Sequence, residues 1–175
     1  MDKIALACGK AKSTLYHYFK SKEEVFEEVV RMEVRNLRLI VKSNVDEVKT
    51  VKEKINAYFI TFQQEIVNKI NLYRIIKSEI DGNCANPLGL GVNKRKINNH
   101  TKFFDFEKDY LTRILEDGFD CGEFTKIERE DIPWFSETLI AAFLGITGYS
   151  IKKNTEEYRE KLQKTSNILL NQIFS

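Results

Sequence analysis

The sequence predicts an all-α protein, and three observations carry that prediction. Only two prolines and eight glycines punctuate the 175 residues. The intervals between them are too long and too charged at helical spacing to be strands. Within them apolar residues return every three to four positions, as on the buried face of a helix. A composition of 42% hydrophobic and 31% charged residues is that of a soluble globular chain able to build a core. No apolar run approaches the roughly 20 residues of a membrane span, and "MDKIALACGK" lacks the apolar region and cleavage site of a secretory signal. The expected location is therefore the cytoplasm, with no membrane partner. Cys8, Cys84 and Cys121 are odd in number, far apart and in no C-x-x-C pair, so reduced thiols are expected rather than a disulfide framework or a zinc site.

Two short helices come first, roughly 2 to 8 and 12 to 19, separated by "GKA", with Gly9 free to take a positive φ. Ser21 and Glu24 have the spacing of a capping box, the serine oxygen taking an orphan N–H and the glutamate reaching back to the serine amide. A long helix follows from Lys22 to about Val45, with Val25, Phe26, Val29, Val30, Val34, Leu37 and Val41 as one apolar stripe. Further helices are expected from Lys49 to Asn68 and from Leu72 to Ile80. "DGNCANPLGLG", residues 81 to 91, reads as a turn-rich loop whose Gly89-Leu90-Gly91 lacks the preceding strand and following Lys-Ser/Thr of a phosphate cradle. An aromatic-rich helix from Val92 to Glu116 is closed by "EDGFDCGEF". A helix capped by Asp131 accommodates Pro133 in its first turn and carries the small residues Ala141, Ala142, Gly145 and Gly148, which fit close approach of another helix. The last helix, 155–174, ends in Leu162, Ile168, Leu169, Ile173 and Phe174. So much apolar surface on two terminal helices predicts a partner, most simply a second copy packed through residues 131–152 and 155–174 as a symmetric four-helix bundle.

Charge is distributed unevenly. The net charge is only +2, yet residues 1 to 22 hold five lysines against Asp2 alone. A small basic head on a neutral body fits a phosphate-contacting module joined to a domain with another task. Two short helices with a glycine turn match the helix-turn-helix arrangement, whose second helix enters the major groove with its N-terminal residues towards base edges. Lys12, Ser13 and Thr14 hold those positions. Tyr16, His17 and Lys20 suit phosphate contact from the flank, and Lys22 stands where helix N–H groups and the dipole favour an anion. Leu15, Tyr18 and Phe19 are expected to point inward with Ile4 and Ala5.

"IALACGKAKSTLYHYFKSKEEVF", Ile4 to Phe26, resembles the DNA-binding signature of the TetR family of bacterial transcriptional regulators, close to I-A-x-x-A-G-V-S-x-x-T-L-Y-x-Y-F-x-S-K-E-x-L. Ile4, Ala5, Gly9, Thr14, Leu15, Tyr16, Tyr18, Phe19, Ser21, Lys22 and Glu23 fall into register. Beyond the head, the turn "EDGFDCGEF" resembles the family's G-x-x-x-G-E-F. Lys10 replaces a usually apolar residue and Ala11 the usual Ser/Thr cap, a loss worth roughly 1 kcal/mol on capping data. The family also has another helix before the point where this sequence starts, so the head is expected to be incomplete here.

The resemblance implies residues 1–27 as a partial helix-turn-helix domain and 28–175 as a ligand-binding and dimerisation domain of the TetR type. It implies a double-stranded DNA operator, a homodimer and an unidentified small-molecule effector held in the helical body. Of the aromatics there, Tyr58, Phe62, Tyr73, Phe103, Phe106, Tyr110 and Phe143 are the candidate lining residues. The expected function is a ligand-responsive repressor on a palindromic operator; the alternative is a dimerising, small-molecule-binding module that no longer binds DNA. No Ser/His/Asp set or H-E-x-x-H occurs, and neither His17 nor His100 has a catalytic context, so neither an enzyme nor a cofactor or metal is expected.

Overall fold

The computed structural model describes residues 1–69, 71–73, 94–150 and 155–174, and among them there are helices and turns but no strand. The helices are α1 (Asp2–Ala7), α2 (Lys12–Tyr18), α3 (Lys22–Asp46), α4 (Val51–Asn68), α5 (Lys94–Asp120), α6 (Ile132–Ser150) and α7 (Thr155–Phe174), with a 3₁₀ turn at Arg129–Asp131. Most of the expected 72–80 helix, the 81–91 loop and Cys84 lie outside the described residues, as does the side chain of His100. The chain divides into two compact units, Met1–Leu39 and Ile40–Ser175. That division falls inside α3.

In the first unit α1 packs on α2 across a turn in which Gly9 takes φ +59°, the left-handed region glycine enters without a Cβ clash. Ala5 of α1 and Leu15 of α2 are buried where the two short helices meet. Tyr18, expected inward, is instead 70% exposed, its ring edge-on to His17 with centroids 5.1 Å apart. Helices of six and seven residues bury one narrow face, and Leu15 occupies it. The Ser21 cap forms, with the Glu24 N–H donating to its Oγ at 3.2 Å, but the Glu24 carboxylate accepts from the Lys20 amide rather than that of Ser21. The α3 stripe is uneven: Leu37, Val41 and Val45 are fully buried, while Val29, roughly 80° around the helix from Leu37, is 40% exposed.

In the second unit α4 packs on α5 and α7, and α6 packs on α5 and α7. Ile55, Leu111, Leu115, Ile132, Leu139, Ile140 and Leu170 are sealed from water, each contributing about 1.5–3 kcal/mol relative to exposure. The start of α4 lies past the expected Lys49 because Thr50 forms a capping box. Its Oγ1 accepts from the Glu53 amide at 3.3 Å, and its own amide donates to the Glu53 carboxylate at 3.1 Å. Those hydrogen bonds, the one from the Thr50 backbone foremost, hold the Glu53 carboxyl below its ordinary range.

The turn "EDGFDCGEF" decides how α5 ends. The helix runs through Glu116 to Asp120 and closes in a Schellman motif: the Glu123 amide donates to the Gly118 carbonyl at 2.9 Å and the Gly122 amide to the Phe119 carbonyl at 3.0 Å. Gly122 takes φ +70° there. Gly118 is small because α4 passes close: a Cβ on it would stand 2.5 Å from Val51 Cγ2 and 3.0 Å from the Phe124 ring. The Glu123 carboxylate accepts the Val51 N–H at 2.8 Å, a donor at the start of α4 with no partner inside its helix. Phe124 is buried with its ring 5.3 Å from Phe174. Of the four fixed positions of G-x-x-x-G-E-F, Gly118 and Glu123 therefore join the end of α5 to the start of α4, Gly122 makes the turn and Phe124 packs on α7.

Candidate nucleic-acid interface

The seven residues expected at DNA share one property. Lys12, Ser13, Thr14, Tyr16, His17, Lys20 and Lys22 are all exposed, while Leu15, one residue from Tyr16, is buried against α1. Helical geometry produces this split, because Leu15 turns to one side of α2 and its neighbours turn away. Ala11 precedes α2 in an extended conformation, φ −67° and ψ 147°, and supplies no side-chain cap. The hydroxyls of Ser13 and Thr14 stand in the first turn, where α2 still presents orphan N–H groups.

Lys12 is held in place. Its Nζ lies 2.8 Å from Asp2 Oδ1, the two side chains joining the first residues of α1 and α2, and 6.0 Å from the centre of the Tyr16 ring one turn on. The hydrogen bond from Lys12 lowers the Asp2 carboxyl below its usual range, and the same bond raises the Lys12 amine. Both groups are open to solvent, so water screens the pair. Asp2 was not among the expected site residues. The signal for it was present, since it is the one acid in the basic head, but ten residues separate it from Lys12 and only the glycine turn brings them together. At the start of α3, backbone hydrogen bonding and then the Ser21 side chain hold the Glu23 carboxyl low, so an anion sits on that helix end already.

The residues expected to line an effector site are only partly assembled. Tyr58 (2% exposed), Phe62 and Phe143 are buried, with Phe143 5.1 Å from Phe62 and 4.8 Å from Phe59, and Tyr110 lies 6.0 Å from Tyr58. The Tyr58 hydroxyl donates to the buried Glu107 carboxylate at 2.7 Å. Desolvation first, then the charges of Asp46 and Glu107, push the Tyr110 phenol up to about 12. Tyr73 is half-buried beyond the end of α4. Phe106, next to Glu107 on α5, is 46% exposed. The side chain of Phe103 lies outside the described residues. A residue absent from the expectation is Gln63, whose Nε2 is buried and has no hydrogen-bond partner among the described residues. An amide surrounded by Phe59, Phe62 and Ile66 on one helix face was the signal.

Comparison with known proteins follows the same division. Residues 1–29 match the family model described as bacterial regulatory proteins, tetR family. Among curated proteins none matches by sequence. Among solved structures, a transcriptional regulator from Cytophaga hutchinsonii is similar with a TM-score of 0.71 at 20% identity, covering 100% of this chain and 88% of that one. A ketosteroid transcriptional regulator of Mycobacterium tuberculosis gives 0.65 at 18% identity, covering 98% and 83%. A TetR family transcriptional regulator from Thermus thermophilus gives 0.69 at 17%, covering 95% and 85%. The amino-terminal segment is thus similar to the DNA-binding segment of the tetR family of bacterial regulatory proteins, and the described residues share the fold of these solved regulators.

Proposed function

We propose that the chain is a DNA-binding transcriptional regulator, acting as a homodimeric, effector-responsive repressor. One observation carries the reading: the hydroxyl, aromatic and basic side chains of α2 and the start of α3 are all exposed within the segment that matches the tetR-family model. In this reading Lys12, Ser13 and Thr14 meet base edges and nearby phosphate, while Tyr16, His17, Lys20 and Lys22 hold the backbone. Two copies then address half-sites about one helical turn, roughly 34–36 Å, or a multiple of it apart. Support for a second copy comes from α6, where Trp134 is 67% exposed, Ala141 is exposed and the Cβ position of Gly145 is open, along one side of the helix. Support for an effector comes from Gln63, a buried donor with no partner among the described residues.

Because α3 is one helix from Lys22 to Asp46, an effector that moves its second half also moves the first. Repression is relieved only if the effector binds the non-DNA conformation more tightly, since coupling is reciprocal. A second reading, a dimerising small-molecule-binding module without DNA affinity, is favoured by the thin core of the first unit, where Leu6 is 84% exposed. The full chain separates the two when titrated into a duplex selected from a randomised pool. Lys12→Ala and Tyr16→Phe should each weaken binding, and Lys12→Ala should flatten its salt dependence by about one unit if it meets phosphate. Unchanged affinity in both variants would remove the assigned contacts.

A further inference from the structure

The acid in the head is placed where it meets the cation nearest the reading end of α2. Of the five lysines in residues 1 to 22, Lys12 is the one that Asp2 holds, at 2.8 Å, with Tyr16 beneath its ammonium. We propose that Asp2 is a specificity-determining residue: it competes with DNA for Lys12 and so suppresses binding to non-operator sequence. The proposal rests on the DNA-binding reading above.

Non-specific binding is the sum of lysine–phosphate attractions with counterion release. A lysine already paired to a carboxylate exchanges one oxygen anion for another and gains little. Only a sequence that offers Lys12 better acceptors, such as the paired O6 and N7 of guanine, compensates for the exchange. Asp2 therefore lowers affinity for every duplex, and lowers it least for the operator. Its place in the first turn of α1 admits a rival role, as a clamp that holds α1 on α2 and replaces the cap that Ala11 cannot supply. The two roles predict opposite signs.

The test uses the full chain with a 30-base-pair duplex of scrambled sequence and a duplex selected from a randomised pool. Asp2→Asn should tighten binding to the scrambled duplex by about 1.4- to fivefold, the range an exposed ion pair spans. It should steepen the salt slope by up to about one unit and tighten the selected duplex less. In a Lys12→Gln background the gain should disappear. Weaker or unchanged binding by Asp2→Asn overturns the proposal in favour of the clamp. An equal gain in the Lys12→Gln background also overturns it, because Asp2 would then act on phosphates directly.

Should Asp2→Asn unfold the head, the wild-type chain still decides. Adding duplex must move the Asp2 carboxyl carbon resonance towards its value in Lys12→Gln, and an unmoved resonance refutes the exchange. The same resonance, titrated without DNA, reports the pair alone. A chain that shows the pair but binds no duplex has lost the DNA reading itself, whereas duplex binding without the Asp2→Asn gain sinks only this proposal.

Discussion

At the scale of single residues, the most consequential side chains are polar ones placed where water is scarce. Tyr110 is half-buried and faces Asp46 and Glu107, so its phenol stays protonated to about pH 12 against an ordinary 10.0. An unfolded chain loses that proton first, so it binds fewer protons than the folded one above pH 10, and stability falls as pH rises from there. Denaturation midpoints measured between pH 9 and 11.5 should decline, and Tyr110→Phe should make the decline shallower. An identical slope in both proteins would contradict the assignment. Gln63 is different, since its buried Nε2 has no partner among the described residues. Removing an unpaired amide recovers its desolvation cost, so Gln63→Met, similar in volume, should stabilise the effector-free chain by about 1 kcal/mol in urea unfolding. A destabilised variant would mean the amide is satisfied in solution.

At the scale of elements, the junction of α4 and α5 shows how a short motif becomes a contact. Gly118→Ala would place a methyl 2.5 Å from Val51 Cγ2 and 3.1 Å from Val51 Cβ. A β-branched side chain at a helix start has little freedom to retreat, so the substitution should cost about 1–3 kcal/mol despite alanine's better helix propensity. Chemical denaturation reads this directly, and a stability at or above wild type would show that the two helices part easily. The existence of α1 to α4 was legible from caps, spacing and the glycine turn. Less legible was the end of α5: Gly118 looks like a terminator, yet the helix passes through it because its bare Cα faces Val51 rather than a turn. Thr50–Glu53 is the opposite case, a cap written plainly in T-x-x-E at the start of α4.

At the scale of the whole molecule, the proposed assembly depends on an exposed apolar line rather than on any buried feature. Trp134, Ala141 and Gly145 follow one side of α6, with Ile168 exposed on α7. Ala141→Lys sets a charge on that line without touching the core. In sedimentation velocity at micromolar concentration it should convert a dimer to a monomer with unchanged helical circular dichroism. A variant that sediments like wild type would place the interface elsewhere. Among the described residues no helix is long and apolar enough to cross a membrane.

What the sequence by itself determined is what is encoded locally. Helix periodicity, the Gly9 turn, the Ser21 cap and the dense head signature each depend on residues a few positions apart, and spacing along the chain carries them without tertiary information. What only the tertiary structure decided is which side chains meet across long separations. It turned Tyr18 outward, joined Tyr58 to Glu107, left Gln63 without a partner among the described residues and set Asp2 against Lys12. The physical reason is that an amphipathic stripe fixes which side of a helix is buried only to within about a quarter turn. The neighbouring helix decides which residues at its edge are covered, and polar partners are chosen by distance, which sequence separation does not report.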